Sequence, residues 1–338
     1  MHMARREMKF VLVTGASGFL GLAVVQKLLS LGVSVRALVR SEEKGELLRQ
    51  PGVAIVVGDI RDSAMHAAIA DVDTVIHCAA TIGSSSISRE VFHSINVEGT
   101  HNLVNAIGDS PDLQRFVHIS TVAVVGETDP RNPADEETPC RPLDAYGETK
   151  LRAEQIVLDA ANAGFPAVIA RPMWIYGSRS LITTNLFRKI ALRKLPMIGP
   201  AKNTMQPVAI DDAVAGVLKC AVTDGIEGCI YNIAGPEILT IRSMCDTIAQ
   251  AMGTALPRLS VPLAVAIPAA RISELLFPVL GMTPPLTRKK LEFFLVNNSY
   301  SIERARRELG WNPTITFERG ARQIAEELKQ SSQMAGAA

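Results

Sequence analysis

A tyrosine and a lysine close together in the sequence are best suited to acid–base chemistry. Tyr146 and Lys150 stand four residues apart in YGETK, which places both side chains on one face of a helix. A free phenol titrates near pH ~10, and a neighbouring ammonium favours its ionised form. Thr121 stands 25 residues before Tyr146, directly after an apolar run, where its hydroxyl could orient a substrate oxygen. We therefore predict Thr121, Tyr146 and Lys150 as catalytic residues, with Lys150 lowering the pKa of Tyr146.

Three glycines at three-residue spacing indicate a second site, one that binds an anion. Gly15, Gly18 and Gly21 follow the apolar run 10–13 and precede a helix with one apolar stripe. Glycine adopts the positive φ of a tight turn, and without a Cβ it lets a ligand approach the backbone closely. The N-terminus of the following helix attracts negative charge. This order of strand, glycine-rich turn and helix is typical of a site for the pyrophosphate of a dinucleotide.

The elements that position these residues follow from the spacing of apolar residues. Short apolar runs alternate with helical patterns, which indicates a parallel sheet covered on both faces. The fold class predicted is α/β, a Rossmann-type doubly wound sheet with a smaller, mostly helical substrate domain. Ligands of such sheets lie beyond the carboxyl ends of the strands. The predicted strands are 10–13, 33–39, 54–57, 74–77, 116–119, 167–170 and 231–233.

Small or polar residues end five of these strands, so we expect one continuous groove for a long ligand. The five strand ends are Thr14-Gly15, Gly58-Asp59, Ala79-Ala80, Ser120-Thr121 and Arg171-Pro172.

The pattern changes after residue 177, which suggests a second domain built from two pieces. We predict a dinucleotide-binding domain over 8–177 and 206–235, and a substrate-binding domain over 178–205 and 236–330. The segment after Gly235 is helical and interrupted by prolines, and it shows no pattern of a parallel sheet.

Composition and charge exclude several classes of function. The chain has 338 residues, and its 35 basic and 34 acidic residues are interspersed, so nucleic acid is not expected as a partner. The five cysteines show no metal-type pairing, so we expect no metal and a reducing, cytoplasmic location. No signal peptide is expected at the first eight residues. Prolines and charges interrupt the most apolar region, 259–282, so no transmembrane segment is expected.

Motifs spread over nearly the whole chain resemble the extended short-chain dehydrogenase/reductases, the NAD-dependent epimerase/dehydratase-like family. In appearance the chain is closest to the branch of the hydroxysteroid dehydrogenases and dihydroflavonol reductases. The matching motifs are TGASGFLG (14–21), GDI (58–60), HCAAT (77–81), INVEGTHNLV (95–104), STVAVVG (120–126), YGETK (146–150), RPMWIYG (171–177), YNIAG (231–235) and RARRELGWNP (304–313).

The resemblance implies a role for each matching residue. Tyr146 would be the catalytic acid/base and Thr121 the polarising hydroxyl, while Lys150 would also bond the nicotinamide ribose. Asn96 is interpreted as a structural helix residue. The resemblance further implies a homodimer formed by helices within 92–108 and 145–162. The residues that would bind the cofactor are Gly15, Ser17, Gly18, Phe19, Leu20, Arg40, Asp59, Ile60, Ala79, Ala80, Thr81, Tyr146, Lys150, Pro172 and Ile175.

The end of the second strand bears on the choice of cofactor. An NAD enzyme of this fold usually has an acidic residue there, which bonds the ribose diol. Here Val39 and Arg40 occupy that point, and an arginine can pair with the 2′-phosphate of NADP. NADP(H) is therefore favoured, NAD(H) stays possible, and the alternative is a solvated arginine.

Two features of the substrate domain favour an apolar small molecule. Relatives that act on nucleotide sugars have an arginine at the position of Met205, which would hold a diphosphate. The stretch 259–295 is rich in Leu, Val, Ala and Phe, which suits an apolar ketone or alcohol, or an ordinary helical core.

Three function classes follow from these features. The first is an NAD(P)(H)-dependent oxidoreductase that interconverts a ketone and a secondary alcohol. The second is a nucleotide-sugar epimerase or dehydratase that retains its NAD. The third is a non-catalytic nucleotide sensor; such proteins tend to lose the tyrosine or the lysine, and this chain keeps Tyr146 and Lys150.

Overall fold

A seven-stranded parallel sheet forms the centre of the protein in the computed structural model, which describes residues 6–62, 66–82, 87–108, 110–257, 260–279, 282 and 284–336. The strands in chain order are β1 (Phe10–Thr14), β2 (Ser34–Val39), β3 (Val53–Val57), β4 (Thr74–His77), β5 (Arg115–Ile119), β6 (Ala167–Pro172), β7 (Ile175–Tyr176), β8 (Met197–Ile198), β9 (Thr204–Met205), β10 (Val208–Ala209), β11 (Ile230–Ile233), β12 (Leu239–Thr240) and β13 (Ser260–Val261).

Helices connect the strands of the sheet and cover it. In chain order they are α1 (Phe19–Ser30), α2 (Glu42–Glu46), α3 (His66–Ile69), α4 (Arg89–Phe92), α5 (Gly99–Ile107), α6 (Ala145–Asn162), α7 (Leu181–Ala191), α8 (Ile210–Val222), α9 (Ile241–Ala251), α10 (Leu263–Val279), α11 (Arg288–Glu292), α12 (Glu303–Leu309) and α13 (Phe317–Gly336).

The strand order of the main sheet is β11-β6-β5-β4-β1-β2-β3, and every neighbouring pair is parallel. Successive side chains of a strand point to opposite faces, and both faces are buried here. Val11 and Val13 of β1 belong to one apolar core, while Leu12 between them belongs to the other. The predicted doubly wound Rossmann-type fold is thereby confirmed. The order reverses between β1 and β4, so the ligand groove is expected at the carboxyl ends of these strands.

The structure corrects several predicted element bounds. The helical segment expected within 92–108 is not one regular helix, because residues His93–Glu98 form a π-helical turn between α4 and α5. The expectation of no parallel pairing after Gly235 is also wrong, since β13 pairs in parallel with β8. The sixth strand continues to Pro172, two residues beyond its predicted end.

The helix that contains Tyr146 and Lys150 is α6, and it begins directly after Asp144. Asp144 is the N-cap of α6, and its Oδ1 accepts a hydrogen bond from the backbone N of Gly147 at 2.8 Å. The other carboxylate oxygen of Asp144 accepts from Nζ of Lys289 in α11. One side chain therefore both starts the helix and joins it to a distant segment of the chain. The division into two domains stays a prediction. No helix among the described residues is long and apolar enough to cross a membrane.

Candidate active site

Thr121 and Tyr146 meet at the carboxyl end of β5. Thr121 caps the short helical turn Val122–Val124, since its Oγ1 accepts from the backbone N of Ala123 at 3.2 Å. A side-chain hydrogen bond also joins Thr121 to Tyr146, and it favours the ionised phenol. Burial outweighs this bond and raises the pKa of Tyr146 to about 12. The predicted lowering of this pKa by Lys150 is therefore wrong for this structure, because desolvation is the larger effect.

Lys150 is almost fully buried, with 1% of its surface exposed. Its Nζ donates to the carbonyl oxygen of Ile119 at 2.8 Å and lies 3.3 Å from Nε2 of His118. Burial lowers the pKa of Lys150 to about 8, while the negative charge of Glu154 acts in the opposite direction. The ammonium is thus held against β5, one helical turn after Tyr146, and it loses its proton far more readily than an exposed lysine.

A buried ion pair lies beyond Lys150 on the same helix. Glu154 accepts from Nε of Arg171 at 2.9 Å and from its Nη2 at 2.6 Å. The glutamate is 1% exposed and the arginine 3%. Arg171 and Pro172 were predicted as a strand end that lines the groove. For Arg171 this is wrong, because its guanidinium is bonded to Glu154 in the interior.

The glycine-rich turn after β1 has the geometry that a dinucleotide needs. Gly15 has φ +63°, and a Cβ on it would lie 2.7 Å from the backbone N of Ala79. A Cβ on Gly21 would lie 2.2 Å from the carbonyl oxygen of Gly15. Gly18 is the N-cap of α1, and no side chain caps this helix end and no acidic residue stands in its first turn. The positive end of the helix is therefore free to meet a pyrophosphate, so these residues fit the cofactor.

The other predicted residues of this turn lie around it. Ser17 and Leu20 are half-buried, and so is Phe19, whose ring lies 3.0 Å from where a Cβ on Gly177 would be. Phe19 therefore joins the start of α1 to the segment that follows β7. The predicted cofactor residue Ile175 lies in β7 itself.

The segment after β4 is fixed to both neighbouring elements. Ala79 donates its backbone N–H to Oγ1 of Thr14 at 3.2 Å. The side chain of Asn96 accepts from the backbone N of Thr81 at 2.8 Å and donates to Oγ1 of Thr149 at 3.1 Å. Asn96 thus links the predicted adenosine-side segment, Ala79, Ala80 and Thr81, to the helix of Tyr146, as a structural residue would.

Arg40 and Asp59 follow the neighbouring strands β2 and β3. The backbone N of Gly58 donates to the carbonyl oxygen of Val39 at 2.9 Å, so the two strand ends lie side by side. Arg61 holds the carboxylate of Asp59 and lowers its pKa, and the charge of Arg40 adds a smaller effect in the same direction. Arg40 is exposed, and among the described residues its guanidinium has no hydrogen-bond or ion-pair partner.

The last of the predicted residues differ in exposure. Ile60 is 5% exposed and packs against Gly99 of α5, Pro172 is buried within β6, and Ile175 is half-buried.

Sequence reasoning missed His118 and Glu154, and it did not predict that Arg171 is buried as the partner of Glu154. His118 interrupts the apolar strand RFVHI, and Glu154 stands four residues after Lys150. A polar residue in a buried strand and an acid on the face of the lysine were the available signals. Within the described segments, no group of three or more His, Cys, Asp or Glu side chains could hold a metal ion.

Comparison with known proteins identifies the family. The profile of the NAD dependent epimerase/dehydratase family matches residues 11–234. The chain is 30% identical over 314 residues to 4-hydroxy-2-methyl-3-oxo-4-farnesyl-3,4-dihydroquinoline-1-oxide ketoreductase of Stigmatella aurantiaca, covering 91% of this chain and 93% of that protein. It is 32% identical over 335 residues to 3-beta-hydroxysteroid dehydrogenase of Mycolicibacterium neoaurum, covering 93% and 90%.

A solved structure shows the same fold in a protein of different activity. UDP-glucuronic acid 4-epimerase from Bacillus cereus, in complex with UDP-glucuronic acid and NAD, aligns with a TM-score of 0.76 at 22% identity, covering 95% of this chain and 99% of that one. The family match, the relatives and the glycine-rich turn agree. The chain therefore belongs to the NAD-dependent epimerase/dehydratase family of extended short-chain dehydrogenase/reductases, and it is a nicotinamide-dependent oxidoreductase.

Proposed function

We propose that the protein is an NADP(H)-dependent oxidoreductase that interconverts a ketone and a secondary alcohol on an apolar small molecule, through Tyr146, Lys150 and Thr121. The observation that supports it most directly is the hydrogen bond between Thr121 and Tyr146, with buried Lys150 one turn further along the same helix. These groups follow the carboxyl end of β5, at the edge of the sheet where β1 leads into the glycine-rich turn.

Tyr146 is suited to act as the proton donor in the direction of reduction. A pKa of about 12 keeps the phenol protonated at neutral pH, so it has a proton to give to a carbonyl oxygen. When bound, the nicotinamide would supply the hydride that reduces the carbonyl carbon. Tyr146 delivers its proton to the oxygen, and the positive charge of Lys150 stabilises the phenolate that this leaves. The hydroxyl of Thr121 stabilises the substrate oxygen by a hydrogen bond.

Lys150 has a further role in this proposal. An ammonium has three donors, and one of them already bonds the carbonyl oxygen of Ile119. A second faces His118, so one donor remains for a hydroxyl of the nicotinamide ribose. We expect Lys150→Met to weaken both turnover and cofactor affinity for this reason.

The proposal of an apolar substrate rests on side chains of the predicted substrate domain. Large apolar side chains are exposed on α10, including Leu275 at 71%, Val265 at 57% and Ile272 at 57%. Met205, rather than a basic residue, stands in β9. The names of the two relatives describe a farnesyl-bearing ketone and a hydroxysteroid, both largely apolar.

We also propose that the protein is a homodimer.

Replacement of Tyr146 tests the proposal. A panel of ketones is assayed by the absorbance of NADPH, first with the wild type and then with Tyr146→Phe. We expect a loss of about 10²–10⁴-fold in turnover with cofactor binding nearly unchanged, since only the proton donor is removed. Tyr231→Phe is the matched control, because this buried tyrosine bonds Glu308 from the edge strand β11, away from Tyr146.

Near-normal turnover by Tyr146→Phe would overturn the assignment. Purified protein that retains tightly bound NAD and epimerises a nucleotide sugar would favour the second function class instead.

A further inference from the structure

A buried histidine in β5 contacts the ammonium of Lys150. His118 has no exposed surface, and its Nε2 lies 3.3 Å from Nζ of Lys150. Phe116, Val117 and Ile119 of the same strand belong to the apolar cores, and Arg115 is the other buried polar residue of the strand. Its other ring nitrogen, Nδ1, is buried and has no hydrogen-bond partner among the described residues. A buried polar atom left unpaired costs free energy and calls for an explanation.

The contact with Lys150 determines the state of the ring. An ammonium can only donate, so a bond to Nε2 requires that this nitrogen bear a lone pair. A neutral imidazole then has its proton on Nδ1, the nitrogen without a partner. Burial and the adjacent positive charge of Lys150 keep the ring neutral, since both lower the pKa of His118 far below its usual value. The ring thus leaves its Nδ1 proton without a hydrogen bond, while its Nε2 serves as an acceptor for Lys150.

The other titratable groups around Lys150 cannot replace this acceptor. His77 in β4 has both ring nitrogens engaged, by Thr14 at 2.7 Å and Thr100 at 3.1 Å. Cys78 follows β4, and burial raises the pKa of its thiol to about 12, so it stays neutral. On α6 itself, Glu154 is bonded to Arg171, and burial keeps Tyr146 protonated.

We propose that His118 is a positioning residue: as a neutral imidazole it accepts a hydrogen bond from Lys150, which keeps the lysine charged and directs its remaining donor into the active site. This inference rests on the proposed function of Lys150. Because an ammonium that loses its acceptor loses its proton more easily, His118 sets the pH at which the active site loses its positive charge.

Kinetics at varied pH test the inference. Reductive kcat/KM of the wild type should fall as pH rises through the pKa of Lys150. His118→Phe keeps the ring volume but removes the acceptor. The fall of kcat/KM should therefore occur about one pH unit lower, which corresponds to the loss of ~1.4 kcal/mol from the charge-assisted hydrogen bond. His118→Gln has an amide oxygen that can accept the hydrogen bond, so its midpoint should lie close to that of the wild type. His77→Gln, a change in the same buried layer, should leave the midpoint in place. An unshifted midpoint in folded His118→Phe would overturn the inference.

Histidine side-chain ¹⁵N NMR of the wild type tests the contact without relying on activity or on the stability of a variant. Nε2 of His118 should be unprotonated from pH 5 to 9, and its resonance should change in Lys150→Met. A protonated Nε2 would contradict the proposal. If instead the contact is found but Tyr146→Phe remains active, the proposed function fails and the contact stands.

Discussion

At the scale of single residues, the active site depends on how burial changes acid–base groups. The phenol of Tyr146 is made a weaker acid, while the ammonium of Lys150 is made a stronger one. Both changes favour the uncharged forms, as removal of water does. The pair is therefore suited to give a proton to a carbonyl oxygen at neutral pH. Arg40 is the contrasting case, a charged side chain that remains in solvent beside Asp59.

The preference for NADPH is a prediction about Arg40. A charge-assisted hydrogen bond between its guanidinium and the 2′-phosphate contributes about 1.5–3 kcal/mol, so NADPH should bind at least about tenfold more tightly than NADH. Arg40→Ala should remove most of this preference and leave NADH binding little changed. Val39→Asp should go further, because it adds an acceptor for the ribose diol and repels the phosphate. Titration of NADPH and NADH against the wild type, Arg40→Ala and Val39→Asp measures these affinities.

Arg61 provides the control for that titration. It is another exposed arginine in the same region, but its guanidinium is already bonded to Asp59 at 2.7 Å. Arg61→Ala should therefore change the cofactor preference less than Arg40→Ala does. A preference for NADPH that survives in Arg40→Ala would show that Arg40 is a solvated surface charge.

At the scale of elements, α6 joins the proposed catalytic groups to the interior. Its N-cap, Asp144, is bonded to Lys289 of α11. Further along, Lys150 contacts β5 and Glu154 pairs with Arg171 of β6. The helix is thus attached at three levels, and each attachment uses a charged side chain. Its two buried charges, at positions 150 and 154, share the face that packs on the sheet.

The buried ion pair between α6 and β6 should be essential for stability. Glu154→Gln leaves the guanidinium of Arg171 buried without its counter-charge, so we expect the free energy of unfolding to fall by about 3–5 kcal/mol. Glu154→Leu combined with Arg171→Met should recover much of this loss, because no buried charge remains. Urea unfolding measures all three proteins.

An exposed pair supplies the comparison. Glu46 and Arg49 are joined at 2.7 Å with side chains that are each 60% exposed. Glu46→Gln should cost less than about 1 kcal/mol. If Glu154→Gln costs no more than Glu46→Gln, the interior pair does not stabilise the packing of α6.

At the scale of the whole molecule, stability should depend on pH because two histidines are buried as neutral rings. Burial lowers the pKa of His77 to about 3, and that of His118 is also lowered well below its usual value. In the unfolded chain both take up protons near pH ~6.5. Below that pH the unfolded state binds more protons than the folded one, so stability is lost as the pH falls.

We expect the free energy of unfolding to fall between pH 6.5 and 5, with a slope approaching about 1.4 kcal/mol per pH unit for each buried histidine. Urea unfolding at several pH values measures the slope. His77→Gln should reduce the slope by roughly half, whereas the exposed His101→Gln should leave it unchanged. A flat profile over this range would contradict the burial of neutral rings.

The proposed homodimer is also a prediction at this scale. Helices within 92–108 and 145–162 are the proposed contact, and two copies would form a four-helix bundle. Light scattering at micromolar concentration should give about twice the chain mass of 36.4 kDa. The mass of a single chain would refute the dimer.

Local sequence patterns predicted the sheet well but did not predict how polar side chains are used. The run 74–77 became β4 with the bounds expected, because apolar runs between turn residues are local signals. The glycine-rich turn was likewise readable from spacing. In contrast, the pairing of Arg171 with Glu154, the contact of His118 with Lys150, and the pKa of Tyr146 all depend on which elements pack together. Tertiary packing determines desolvation and contacts, so a local pattern can mark such residues as unusual but cannot show which groups they meet.

The π-helical turn His93–Glu98 has a consequence for a deletion in this chain. Such a turn holds one more residue than the α-helical turn it replaces. Deleting a single residue between Phe92 and Asn96 would restore a regular helix with its two flanks nearly in their present phase, but it would change the direction of the side chains within the turn, Asn96 among them. Asn96 would then leave Thr81 and Thr149, and the segment 79–81 would lose its bond to α6. Loss of one residue here should therefore be tolerated by the sheet but should detach that segment from the helix.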